Sequence, residues 1–224
     1  EILLTNLKRP SNIIITNTNR SVVYLNLFKK NKILPDHIIY LDDNKKNKTS
    51  SKIKKILKNK IYSKKQFQTD DVNNNEVINY LISFKSQLIV YSGYPGAIIK
   101  DKKLLKKKII HSHTGHLPHY KGSTTIFYSL LKESRIYCST ILLNKKIDSG
   151  ITLLIKRYPL PKIILDIDNK YDDEIRAMNI VSLFKSKKDI LINRKYKINR
   201  KHNLPYYIMH PILRYITMYN RNLN

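Results

Sequence analysis

The sequence predicts an α/β fold: a mostly parallel sheet with helices on both faces, closed by an antiparallel pair of strands near the end of the domain. Three observations carry this. Short β-branched runs alternate with segments whose apolar residues recur at helical spacing, the pattern of successive βαβ units. Residues 87–91 (Gln-Leu-Ile-Val-Tyr) form a nearly continuous apolar run, as expected of a strand buried on both faces at the centre of a parallel sheet. Residues 136–143 and 151–158 are two strand-like runs joined by a turn around Asp148-Ser149-Gly150, close enough to pair antiparallel.

Taken in order, residues 12–16 (Asn-Ile-Ile-Ile-Thr) read as the first strand and 17–20 as a polar turn. Residues 21–32 then place Val22, Val23, Leu25, Leu27 and Phe28 on a helix. A buried strand follows at 38–41, ending in Asp42 and Asp43. Lysines surround Ile53, Ile56, Leu57 and Ile61, which reads as a solvated amphipathic helix over 50–59 with Ser50 or Ser51 as N-cap. Residues 75–84 are a further helix, and strand 87–91 runs into the loop 92–96. A short basic helix closes over 104–108, followed by a strand at 108–112 and a helix at 123–132 capped by Ser123. Residues 168–184 read as an amphipathic helix whose acidic start suits the helix dipole.

The domain implied by this pattern is 12–184. Residues 1–11 read as a loosely held arm and 185–224 as a basic C-terminal extension, in which Pro205 and Pro211 break any long helix.

The formal net charge is +27. Such a field attracts polyanions, yet Lys, Asn and Ile dominate throughout and no nucleic-acid motif accompanies the charge, so lysine fills solvated positions by default and no dedicated nucleic-acid surface is expected. The one cysteine, Cys138, leaves no internal disulfide and no cysteine-based zinc site, and points to a reducing cytoplasm. The longest apolar runs, 88–91 and 151–155, fall far short of the roughly 20 residues that span a bilayer, and no signal peptide is visible. The turn Asn17-Thr18-Asn19-Arg20 lacks the glycines of a dinucleotide fingerprint.

Candidate functional residues gather in one stretch. The five glycines (Gly93, Gly96, Gly115, Gly122 and Gly150) all lie between residues 93 and 150, and His111, His113, His116 and His119 follow a strand directly. In open α/β sheets, ligands bind beyond the carboxyl ends of strands. His111 and His113, two apart on a strand, share a face and can reach one metal ion, but the next acidic residue is Glu133 and no third ligand is evident, so no metal is expected. His116 and His119 read as loop residues whose rings pack or meet solvent. Asp148 alone reads as a turn residue before Gly150.

The segment Ile110-His111-Ser112-His113-Thr114-Gly115-His116-Leu117-Pro118-His119-Tyr120-Lys121-Gly122 resembles the active-site segment of the folate-dependent formyltransferases, Asn-x-His-Pro-Ser-Leu-Leu-Pro followed by glycine. Ile147-Asp148-Ser149-Gly150 falls where that family has Asp-x-Gly. The resemblance covers roughly residues 12–158, a whole Rossmann-like catalytic domain by size. It implies that the co-substrate is 10-formyltetrahydrofolate, that His113 is the catalytic base and that Asp148 holds and polarises it. His111 stands where the family has asparagine, and a histidine N–H there is expected to serve the formyl oxygen as the asparagine does. Tyr91, Ser92, Gly93, Tyr94 and Gly96 fall where the family binds the pterin; the residues alone read equally as a βα loop.

The family acts on glycinamide ribonucleotide, on methionyl-tRNA and on nucleotide-linked amino sugars. The first type carries a glycine-serine phosphate loop where this chain has residues 17–20, and the second a C-terminal barrel for which little sequence remains after residue 185. The resemblance therefore implies a nucleotide-linked amino sugar of surface-polysaccharide or glycan biosynthesis as acceptor. Lys121, Gly122, Ser123 and Thr124, at a helix N-terminus, are the candidates to contact it. A glycinamide ribonucleotide-type enzyme and a catalytically impaired binding protein are the alternatives, and a homodimer is left open.

Overall fold

The structure, a computed structural model, describes residues 3–4, 9–41, 51–59, 65–69, 71–84, 88–93, 99–162, 164–168, 170–186, 190–191 and 207–222. The chain runs β1 (Leu3–Leu4), β2 (Asn12–Thr16), α1 (Asn19–Lys30), β3 (His37–Leu41), α2 (Ser51–Lys58), β4 (Lys65–Thr69), α3 (Asn75–Ser83) and β5 (Leu88–Ser92). It continues through α4 (Lys102–Leu105), β6 (Lys108–His113), α5 (Thr125–Glu133), β7 (Ile136–Leu142) and β8 (Ile151–Tyr158). A 3-10 turn (Ile164–Ile167), α6 (Tyr171–Lys185), β9 (Ile190–Leu191) and α7 (Pro211–Asn222) complete it.

Among the described residues, seven strands form one sheet in the order β4-β3-β2-β5-β6-β7-β8. From β4 to β6 every pairing is parallel. The predicted α/β architecture is therefore present, with the run 88–91 at the sheet's centre. The antiparallel part is larger than predicted: β7 pairs antiparallel with β8 and also with β6, setting His111 opposite Ile141 and His113 opposite Ser139.

Successive strand residues point to opposite faces, and the core divides accordingly. Ile13, Ile15, Val90 and Ile110 pack on one face with Tyr24, Phe28, Ala177 and Ile180 of α1 and α6. Ile14, Ile89, Tyr91 and Ile109 pack on the other with Val77, Leu81 and Leu104 of α3 and α4. Burial on both faces is why these strands read as continuous apolar runs.

Four local readings change. The turn at 17–20 is shorter than expected, because Thr18 caps α1 and the helix begins at Asn19. Ser123 does not cap α5: the residue before the helix is Thr124, in the left-handed region at φ 53°. α6 is not a simple amphipathic helix. Residues on several sides of it are buried, and Asn179 inside it donates to the Cys138 carbonyl and to Thr140 Oγ1 while accepting from the Tyr158 hydroxyl. Pro211 does not break a helix but opens one, standing as the first residue of α7, where a missing N–H costs nothing. α7 packs on α5 and the 3-10 turn, with Met209 buried, Arg214 paired to Asp168 and its guanidinium 4.7 Å from the Phe127 ring centre.

Leu3–Leu4 of the expected N-terminal arm pairs antiparallel with Ile190–Leu191. Among the described residues, no helix is long and apolar enough to cross a membrane. Asp42, Asp43 and the Ser50 cap position lie outside the described residues.

Candidate active site

The sheet's connections leave β2 in opposite directions, one through β3 and β4 and the other through β5 and β6, so the topological switch lies between β2 and β5. A cleft of about 520 Å³ opens beyond the carboxyl ends of these strands, where such sheets take their ligands. Tyr91 and Gly93 from the end of β5, His111 and His113 from β6, Asp148 from the β7–β8 turn and Arg20 from the start of α1 all line it.

His113 is the last residue of β6 and is buried. Its Nε2 lies 2.7 Å from the Tyr120 carbonyl oxygen and 3.1 Å from Thr125 Oγ1. The Thr125 hydroxyl spends its own hydrogen on the Thr114 carbonyl, 2.6 Å away, so both neighbours of Nε2 are acceptors. The Nε2 nitrogen therefore carries the hydrogen, and the neutral ring keeps its lone pair at Nδ1. That Nδ1 lies 3.4 Å from Asp148 Oδ2. Burial lowers the His113 pKa, Asp148 opposes this, and Arg176 adds to the lowering; the net position is below the ordinary value of 6.5. The neutral base form is favoured near neutrality, and the imidazolium, once formed, faces a carboxylate.

Two tight backbone approaches hold this pair. Gly150 lets the turn close on β7: a Cβ there would sit 1.6 Å from the Leu142 carbonyl oxygen. Asp148 itself adopts φ 46°, a region aspartate enters more readily than most residues. The Gly122 N–H donates at 2.8 Å to Asp148 Oδ2, the same oxygen that faces His113. Ser139 on β7 shapes the loop after β6, donating to the Gly115 carbonyl at 2.6 Å and accepting the Leu117 N–H at 3.1 Å.

His111 is held differently. Its Nδ1 lies 3.2 Å from the Tyr91 carbonyl oxygen, which only accepts, so Nδ1 carries the hydrogen and Nε2 keeps the lone pair. Burial first, and Arg176 second, hold its pKa down at about 3. The ring is neutral at physiological pH. The N–H expected to serve a formyl oxygen is thus spent on Tyr91, and the free nitrogen of His111 is an acceptor.

The pterin candidates divide. Tyr91 and Gly93 line the cleft; Ser92 is buried, and its carbonyl accepts from Thr16 Oγ1 at 3.5 Å. Tyr94 and Gly96 lie outside the described residues. Of the acceptor candidates, Gly122, Ser123 and Thr124 line the cleft, whereas Lys121 is buried and does not. Thr124 Oγ1 is occupied by the Met209 N–H at 2.8 Å, which ties the segment before α7 to the site and places Ile208 on the cleft wall. His116 stacks on Tyr137 with ring centres 4.5 Å apart, and its Nδ1 lies 3.7 Å from Glu133. Among the described residues no group of three or more His, Cys, Asp or Glu side chains is placed to hold a metal ion.

An ionic cluster went unseen in the sequence. The Nε of Arg176 donates to Asp172 Oδ2 at 2.7 Å, and its two terminal nitrogens to the Ser112 carbonyl at 2.6 Å and Thr114 Oγ1 at 2.7 Å. Arg20 reaches Asp173 Oδ1 at 2.9 Å and Asp172 Oδ2 at 3.3 Å. Burial pushes the Asp172 pKa up, but Arg176 and Arg20 outweigh it and hold the carboxyl below its ordinary value. The acidic start of α6 was the one signal for this cluster.

No family model matches the chain. Over 100 residues, 42% of the chain, its sequence is 34% identical to the methionyl-tRNA formyltransferase of Finegoldia magna. The chain spans about a third (31%) of the length of that curated relative. The chain has the fold of the folate-dependent formyltransferases and resembles that family in sequence. Glycinamide ribonucleotide transformylase 1 of Symbiobacterium toebii matches with a TM-score of 0.59 at 12% identity, over 82% of this chain and 90% of that one. An N-formyltransferase of Helicobacter canadensis, solved with folinic acid and dTDP-3-aminofucose, matches with a TM-score of 0.51 at 16% identity, over 83% of this chain and 68% of its own. At such identities these likenesses speak for the fold alone.

Proposed function

We propose that the protein transfers a formyl group from 10-formyltetrahydrofolate to an amine, with His113 as the base and Asp148 as the carboxylate that stabilises its imidazolium. The observation that carries this is the Nδ1 lone pair of His113 on the cleft wall, 3.4 Å from the Asp148 carboxylate. The cleft suits the co-substrate's pterin. Ile99, Tyr91 and Leu143 give it apolar walls, and the Tyr91 hydroxyl is a buried polar atom without a partner among the described residues. When bound, 10-formyltetrahydrofolate supplies the formyl carbon to which the amine nitrogen bonds, and the bond from that carbon to N10 breaks. His113 Nδ1 takes the proton the amine must lose, and Asp148 stabilises the imidazolium. The same Nδ1–H then returns the proton to the departing N10, so the base ends as it began. Tyr120 and Thr125 keep Nε2–H in place throughout, which commits Nδ1 to the substrate side.

The acceptor we favour is a nucleotide-linked amino sugar. The start of α1, where a glycinamide ribonucleotide enzyme carries its glycine-rich phosphate loop, here holds Thr18 as a cap and Arg20 bound to Asp172 and Asp173. Among the fold relatives, the Helicobacter canadensis enzyme holds such a sugar nucleotide. A role in surface-polysaccharide or glycan biosynthesis, in the cytoplasm, belongs to the same proposal. The test is to incubate the protein with 10-formyltetrahydrofolate and a panel of nucleotide-linked amino sugars, beside glycinamide ribonucleotide. Tetrahydrofolate release with a sugar supports the reading; release only with glycinamide ribonucleotide transfers it to that acceptor; no release with any acceptor sinks it.

One observation favours a second reading, a binding protein with impaired turnover: His111 presents a lone pair where a donor to the formyl oxygen is needed.

A further inference from the structure

The pairing between β5 and β6 ends at Val90 and Ile110. Beyond it, the residues that matter most, His111 and His113, are held through β7 on one side. Between them, the Ser112 carbonyl takes a side-chain donor, Arg176. We propose that Arg176 is a positioning residue for the proposed formyl transfer: its guanidinium fastens the carboxyl end of β6, and with it both histidine rings, to α6. This rests on the formyltransferase reading of the site.

The guanidinium makes three separate attachments. One goes to the Ser112 carbonyl, at the peptide between the two histidines, and one to the hydroxyl of Thr114, the residue after His113. The third goes to Asp172, one turn earlier on α6. The Thr114 hydroxyl donates in turn to the other oxygen of Asp172, so arginine, threonine and aspartate close a ring of hydrogen bonds around the strand end. A lysine carries the charge but not the fork that reaches two points on β6 while holding a carboxylate. The other charged or titratable groups facing His113 are Asp148 from the β7–β8 turn and Asp172 from α6; those facing His111 are Asp148, His113 and Tyr91, whose ring lies edge-on to it at 6.1 Å. Arg176 is the positive charge acting on both rings, and it opposes their protonation.

Two variants test the role. Arg176→Lys keeps the charge and loses the fork. The double variant Arg176→Met with Asp172→Asn removes both charges, so no unpaired ion is left buried. The expected result in each is a fall in kcat of roughly 100-fold, the scale of a displacement of about 1 Å at reacting groups, with KM for both substrates nearly unchanged. A nitrogen-detected NMR titration of the imidazoles gives the second readout. Arg176 acts on His113 more strongly than Asp172 does, so in the double variant His113 titrates at higher pH than in the native chain. Loss confined to melting temperature, with native kcat and native ring titrations, overturns the role of Arg176. A native protein that transfers no formyl group, while its rings shift in the double variant, overturns the transferase reading and leaves the positioning of the rings by Arg176 standing.

Discussion

Gly115 stands where a Cβ would lie 2.8 Å from Nε2 of His113 and 2.8 Å from the Tyr120 carbonyl that this nitrogen serves. The bond that sets the His113 tautomer therefore depends on the missing side chain. Gly115→Ala is expected to displace the ring, lower kcat by roughly 100-fold and cost about 1–3 kcal/mol of stability as overpacking. Steady-state kinetics and urea unfolding measure both. Native kcat in this variant removes the argument that the tautomer is held here.

The His113–Asp148 pair gives the second prediction. His113→Ala is expected to lower kcat by about 10²–10⁴, the usual contribution of a general base. Asp148→Asn keeps an oxygen for the Gly122 N–H but loses the charge that steadies the imidazolium, so its kcat falls less than that of His113→Ala. Equal activity of Asp148→Asn and the native chain, followed by tetrahydrofolate release, contradicts the charge-stabilising role of Asp148.

The sign of the pH dependence follows from the same burial. His113 is lowered from 6.5, and transfer needs it neutral, so kcat/KM is full above neutrality and its acid limb lies below pH 6.5. Stability moves the same way. Below pH 6.5 the unfolded chain binds protons that the two site histidines refuse. With His111 at about 3, this ring alone costs about 2 kcal/mol at pH 5 relative to pH 7.5. Asp172 adds a further loss at still lower pH, because its carboxyl is held below 3.8 in the fold. Urea midpoints at pH 5 and 7.5 check the window; equal midpoints refute the neutral state of His111.

The elements that were legible are those whose local pattern and tertiary role agree. The run 88–91 is buried on both faces and looks it. Lys65–Thr69 was missed because β4 is an edge strand whose Lys-Gln-Phe-Gln-Thr sequence has no apolar run to read. Pro211 was misread because a proline that ends one helix and a proline that starts another look alike until the caps are known. Within the site, His111 and His113 were marked by clustering and Asp148 by the resemblance of residues 147–150 to the family's Asp-x-Gly, and the structure brings them to one cleft. Arg20 and Arg176 were invisible for a different reason. Their meaning arises only when α6 lies against α1, so that acids that seemed to serve a helix dipole instead bind two arginines. The direction of a histidine hydrogen is equally beyond a sequence, since it is set by the Tyr91 carbonyl.

That direction yields the last prediction. With Nδ1–H committed to Tyr91, the free nitrogen of His111 repels a developing oxyanion, because it offers a lone pair where a donor is needed. At about 3, its pKa is too low for the ring to gain a second N–H at neutral pH. An asparagine side chain carries both groups at once, and its amide N–H₂ can face the formyl oxygen. His111→Asn is therefore expected to raise kcat, toward the roughly 100-fold that one oxyanion donor contributes, with the acid limb set by His113 unmoved. A large gain measured by tetrahydrofolate release identifies the native chain as an impaired member of its fold family. An unchanged or lower kcat refutes the argument that the lone pair of His111 stands where the oxyanion needs a donor.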